Sequence, residues 1–97
     1  MDEKSTDPAT ISDEVIDGAI RSIVAERGTA KTACPSEVAR RLAGPDEKRW
    51  RLLMKPIRAR AVRLAKAGEI AIKRKGKAVD PDAFKGIYRL GRAEGAK

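Results

Sequence analysis

Residues 56–79 read PIRARAVRLAKAGEIAIKRKGKAV, and the fold turns on the change of period inside this stretch. Ile57, Ala61, Leu64 and Ala65 recur at helical spacing and share one face of a wheel. Arg63 and Lys66 lie opposite that face, with Arg58 and Arg60 on its flanks. The spacing predicts a helix over 56–67 that stops at Gly68. Beyond the glycine the period is two: Ile70 and Ile72 point one way, and Glu69, Ala71 and Lys73 the other. Lys75-Gly76 suits a tight hairpin turn, from which Lys77–Val79 returns.

Upstream, Ser12 is a helix N-cap followed by Asp13 and Glu14, where carboxylates favour the positive end of the helix dipole. Ile11 and Ile16 form a hydrophobic staple across that cap. Val15, Ile16, Ala19, Ile20, Ile23 and Val24 continue at helical spacing to Arg27, and Gly28 closes the helix. Thr29–Ala33 reads as a stub of strand. Pro35 is placed for the first position of a second helix, with Glu37 as capping carboxylate and Val38, Ala39 and Leu42 inward, ending at Gly44-Pro45. Asp46 caps a further turn over 47–53 that carries Trp50, Leu53 and Met54 toward the core, and Lys55-Pro56 interrupts before the next helix. Downstream, Asp80-Pro81-Asp82 is a loop, and Ile87–Leu90 is a last strand with Tyr88 and Leu90 facing in.

The order is helix, strand stub, helix, helix, hairpin, strand. It predicts a mainly α domain with a small β-sheet (α+β), laid out as a winged helix-turn-helix with three main helices and a C-terminal hairpin wing. The domain is expected over 12–90, with a disordered acidic tail over 1–11 and a frayed end over 91–97.

Composition narrows what such a domain can do. The 97 residues suffice for one small domain. Charged residues make up 37%, well above the usual share of about 25%. The only aromatic residues are Trp50, Phe84 and Tyr88, so the core must be aliphatic. Histidine is absent, which removes the usual general base near neutral pH and the commonest metal ligand. Cys34 is the only cysteine, so neither an internal disulfide nor a thiolate cluster can form. No nucleophile and base pair is in view, so an enzyme is not expected, and no cofactor is expected either. The single cysteine and the polar N-terminus predict a cytoplasmic protein, with no membrane-spanning run.

The net charge is +8, and it is unevenly spread: residues 1–30 carry seven acids and three bases (−4), residues 31–97 nineteen bases and seven acids (+12). A basic body points to an anionic partner, duplex DNA first. The helix offers Lys55, Arg58, Arg63 and Lys66, and the hairpin tip offers Lys73, Arg74, Lys75 and Lys77. Two basic elements then stand where a winged helix meets the groove and the phosphate backbone. The bland alternatives are a solvated helix face and a lysine-guarded sheet edge. Cys34 is read as a buried small apolar residue rather than a reactive thiol, Trp50 as core rather than a base-stacking platform, and Asp80 with Asp82 as a loop bracket rather than a cation site. RNA and a protein partner are alternatives to DNA. A docking module would show an exposed apolar patch on the wing side or on the first helix.

KTACPSEVARRL (31–42), KRWRLLMKPIRARAVRLAKAGEIAIKRKGKAVDP (48–81) and GIYRL (86–90) together resemble a small bacterial family catalogued as domain of unknown function 3253. The most specific pieces are CPSEVAR (34–40), W-R-x-L-M (50–54), and the run from G-x-I-x-I (68–72) to VDP (79–81). The resemblance spans about residues 15–90 and implies a winged-helix fold. It implies no activity and no catalytic residues. The lysine-rich wing departs from the family's usual one.

Overall fold

The computed structural model describes residues 11–28 and 31–93. The acidic tail up to Thr10, Thr29-Ala30 in the strand stub, and residues 94–97 lie outside the described residues. The elements are α1 (Asp13–Arg27), α2 (Pro35–Ala43), α3 (Glu47–Trp50), a 3-10 turn (Arg51–Leu53), α4 (Met54–Lys66), β1 (Ile70–Arg74), β2 (Lys77–Ala78) and β3 (Arg89–Arg92). Three main helices and a three-stranded antiparallel sheet give an α+β domain of winged-helix-like layout.

The helix ends form as their residues predict. Ser12 Oγ accepts from Val15 N–H at 3.2 Å, and Gly28 closes α1 at φ 76° with its N–H on Val24 O. Glu37 Oε2 accepts from the Cys34 N–H at 3.1 Å, answering one of the donors that open α2. Asp46 Oδ1 accepts from Lys48 N–H at 3.0 Å. The expected interruption at Lys55-Pro56 is instead a tightening. α3, the 3-10 turn and α4 follow without a gap, and α4 begins at Met54, two residues ahead of the proline. Pro56 sits in the first turn, where its missing N–H costs little, and the 3-10 turn absorbs the crowding just before it.

The core is aliphatic. Ile16, Ile20 and Ile23 of α1, Val38 of α2, Leu53, Ile57 of α4, Ile72 of β1 and Leu90 of β3 are its largest fully buried side chains. Burying side chains of this size contributes about 1.5–3 kcal/mol each, before the entropy of ordering is subtracted. One charged group lies among them. Asp17 is only 8% exposed. It receives Arg60 Nε at 2.8 Å and Arg60 Nη2 at 2.9 Å, which clamps α1 to α4. The Arg60 guanidinium hydrogen-bonded beside it holds the Asp17 carboxyl below the usual aspartate value, against the opposing effect of burial.

The sheet order is β2-β1-β3. Ile72 faces Leu90, and Arg74 faces Lys77 across the hairpin. Lys75 and Gly76 both have positive φ, 53° and 83°, which matches the twist of a two-residue hairpin. Ala33 exchanges backbone hydrogen bonds with Leu90, both 2.8 Å, so the stub after α1 closes the far edge.

Four expectations need correction. The last strand is Arg89–Arg92 rather than Ile87–Leu90, so Gly91 and Arg92 are paired rather than frayed. β1 is long enough to demand partners for Ile70 and Ala71, and Arg92 and Gly91 supply them. Ala71, expected outward, is buried opposite Gly91. The Lys73 side chain lies over that spot, with its Cε 3.4 Å from where a Cβ on Gly91 would stand. Trp50 is only half-buried against the core, with the Arg40 guanidinium 5.5 Å from its ring centre. Cys34 is half-buried rather than buried, its Sγ 3.0 Å from Ser36 Oγ.

Two outcomes test this account. Asp17→Asn is expected to lower the melting temperature by about 5–10 °C, because a charge-assisted double hydrogen bond is lost and the Arg60 charge loses a partner. A carboxyl held below its usual value stabilises the fold above about pH 4, and that contribution disappears as pH falls through the folded value. The acid limb of a stability–pH curve should therefore be shallower in the variant. Lys75→Gly should raise stability by about 1 kcal/mol in urea unfolding, since it removes a non-glycine residue from the left-handed region.

Candidate nucleic-acid interface

The chain has far more bases than acids, yet many bases are spent inside the fold. Arg27 pairs with Glu37, and Arg41 with Glu26 at 2.7 Å, so two ion pairs join α1 to α2. Arg21 holds Glu69 at 2.7 Å and ties α1 to the start of β1. Arg89 donates to Thr32 Oγ1 at 2.7 Å beside the edge bridge. The exposed ion pairs Arg21–Glu69 and Arg41–Glu26 contribute little stability, but each of these contacts engages a base that would otherwise face a partner.

The eight bases proposed from sequence separate in the same way. Arg58 is turned inward. Its guanidinium lies 4.0 Å from the Phe84 ring centre and 5.7 Å from that of Tyr88, and Nη2 donates to Phe84 O at 3.2 Å. Lys66 Nζ meets Asp82 Oδ1 at 3.2 Å. Arg74 Nε donates to Ile87 O at 2.9 Å. Lys73 packs along Gly91. Lys55, Arg63, Lys75 and Lys77 are exposed and have no ion-pair partner among the described residues.

One segment explains the division. The chain from Val79 to Tyr88 crosses from the hairpin back to β3 along the flank of α4. Phe84 and Tyr88 anchor it, buried and edge to face with centroids 5.2 Å apart. It takes Arg58, Lys66 and Arg74 as its fastenings. Burial pushes the Tyr88 hydroxyl up to about 12, with Arg58 nearby acting the other way. Lys85, exposed on this segment, is a further base on the surface; it stands in a stretch without apolar periodicity, where spacing carries no signal.

On α4 the outward stripe therefore runs through Lys55, Ala59 and Arg63. Lys55 and Arg63 are separated by about 12 Å along the axis at 1.5 Å per residue, with a small side chain between them. The hairpin tip presents Lys75 and Lys77 as a second, separate cluster. Among the described residues no helix is long and apolar enough to cross a membrane.

These features define a small winged-helix-like domain with outward bases on α4 and at the hairpin tip, among others such as Lys48 and Lys85 elsewhere on its surface. Residues 13–93 match the family described as "Protein of unknown function (DUF3253)", and the chain belongs to that family. A comparison with curated proteins finds no match.

Arg58 and Arg63 lie five residues apart and should behave oppositely. Arg58→Ala should cost about 1–2 kcal/mol in denaturant unfolding, from the lost stacking and the orphaned Phe84 carbonyl. Arg63→Ala should leave stability within about 0.5 kcal/mol of the parent.

Proposed function

We propose that the protein is a small bacterial, cytoplasmic, non-enzymatic factor that binds duplex DNA through the outer face of α4 and the hairpin tip. The observation that carries this reading is the residue of the charge ledger. After internal pairing, exposed bases remain on the two elements that a winged helix would bring to a duplex.

The dimensions support it. The major groove of B-form DNA is about 12 Å wide and admits a helix. A stripe with Ala59 between Lys55 and Arg63 can approach the groove floor while the long basic side chains reach phosphates on its walls. Lys75 and Lys77 then lie along the neighbouring backbone. Such contacts are electrostatic and weakly dependent on sequence. A duplex RNA is a poorer fit, because its major groove is too narrow for a helix.

Fluorescence anisotropy over a range of salt concentrations tests the reading. The parent protein should bind a random duplex with an affinity that falls steeply with salt. Replacing Lys55, Arg63, Lys75 and Lys77 with Ala should reduce the slope of log K against log salt by about 3–4, near 0.9 for each lost phosphate contact. Arg41→Ala, which removes a base already paired with Glu26, should change the slope much less. Equal slopes for the parent and the fourfold variant would overturn the proposal. Tighter binding to duplex RNA than to duplex DNA would overturn it as well.

A further inference from the structure

Beside the N-terminal end of α4 the surface is concave and apolar. Cys34, Pro35, Met54, Gly86, Ile87 and Tyr88 line a hollow of about 360 Å³. Ile87 stands at its edge, 85% exposed, and Leu52 on the adjoining 3-10 turn is 63% exposed. An aliphatic side chain left this open at the edge of an apolar hollow forgoes burial worth about 1.5–3 kcal/mol, and such an edge marks a contact surface.

The surroundings are positive. Lys55 follows Met54, and Lys85 precedes Gly86; both are exposed. The Arg58 guanidinium lies near the Tyr88 ring. Arg74 Nη2 is 3.2 Å from where a Cβ on Gly86 would stand. The carboxylate in the first turn of α2, Glu37, is already engaged by the Cys34 N–H and by Arg27.

The shape and chemistry select among occupants. The hollow's lining is carbon and sulfur, which offers nothing to a phosphate, and a concave seat suits a protruding side chain better than the flat edge of a base pair. A second copy of this chain would bring the same positive rim against this one, on a molecule of net charge +8. An acidic segment meets the rim with opposite charge.

We propose that this hollow is a docking seat for a protein segment that is acidic and carries one aliphatic or aromatic anchor side chain. The anchor enters between Met54 and Ile87, over Tyr88, and the flanking carboxylates lie against Lys55, Lys85 and their neighbours. This mode of recognition sets affinity through one buried anchor and sets encounter rate through charge. It does not rest on DNA binding, although Lys55 serves both surfaces and the two partners would compete.

The test uses the full chain, methyl-labelled at isoleucine and methionine, with two synthetic probes. One is a short Asp/Glu-rich peptide with a single central leucine, and the other has alanine in its place. The leucine peptide should shift the Ile87 and Met54 methyl resonances in a saturable way. The alanine peptide should bind about tenfold more weakly, a difference of one anchor. Ile87→Ser, at a site too exposed to support the core, should weaken the leucine peptide while leaving the alanine peptide unchanged. Equal binding of the two peptides would overturn the proposal, and so would leucine-peptide affinity unaffected by Ile87→Ser. A concentration-dependent dimer that Ile87→Ser abolishes would overturn it in favour of a second copy. Duplex DNA that moves these methyls where neither peptide does would assign the hollow to a nucleic-acid surface instead. Leucine-peptide binding by a parent protein that binds no duplex would uphold the seat and end the DNA reading.

Discussion

The Asp17–Arg60 clamp is the contact on which the outward face of the domain depends. A carboxylate only 8% exposed is tolerable only when its charge is met with good geometry. The two-pronged bond from Arg60 meets it, and Asp13 stands 3.5 Å from Arg60 Nη1 as an outer counter-charge. The pair links residues 43 positions apart, one on α1 and one on α4. It therefore fixes the rotation of α4 about its own axis. With Arg60 turned to α1, helical geometry sends Ile57, Ala61 and Leu64 into the core, Arg58 toward the crossing segment, and Arg63 outward. An apolar pair at these positions could pack the same helices, but aliphatic contact alone tolerates small rotations that a planar guanidinium–carboxylate fork does not.

The same logic applies to the charge count. A basic composition is an argument about partners only after internal pairing has been subtracted. Here Arg21, Arg27 and Arg41 are matched to Glu69, Glu37 and Glu26, all from or onto α1. The first helix takes both parts: Arg21 and Arg27 meet acids of its neighbours, while Glu26, Asp13 and Asp17 meet Arg41 and Arg60. Glu26 and Glu69 are held below the usual glutamate value by the arginines that donate to them, in the same direction as Asp17. Acid would loosen all three fastenings together.

How much of this was legible depended on the range of each interaction. The caps at Ser12 and Asp46, the glycine at 28, the hairpin turn at Lys75-Gly76 and the apolar face of α4 are local, and each follows from residues within a turn of one another. The inward fate of Arg58 and Arg74 is not local. Their acceptors are the backbone carbonyls of Phe84 and Ile87, and every residue type offers a carbonyl. A helical wheel placed Arg58 on a flank but could not tell that a buried aromatic pair would be waiting there. The continuation of β3 through Arg92 was hidden for a related reason. Gly91 reads as a strand breaker, yet here its missing Cβ is what lets Thr32 and Lys73 close over it, at 3.2 and 3.4 Å from where that atom would be.

The crossing segment also decides what kind of surface the domain presents beside its bases. Tyr88 must enter the core next to Phe84, and an extended backbone then turns residue 87 outward. Arg74 holds the Ile87 carbonyl and fixes that orientation from the other side. These constraints require an outward side chain at position 87 but not an apolar one; a serine or lysine would satisfy the backbone equally and would be better solvated. The isoleucine is therefore unexplained by the fold's internal demands, as is Leu52 on the 3-10 turn that precedes α4. By contrast, Lys75 and Lys77 at the hairpin tip are what an unprotected sheet edge needs whether or not a duplex ever meets it. The folded domain thus accounts for part of its basic surface by itself, and leaves its exposed aliphatic side chains to be accounted for by something outside it.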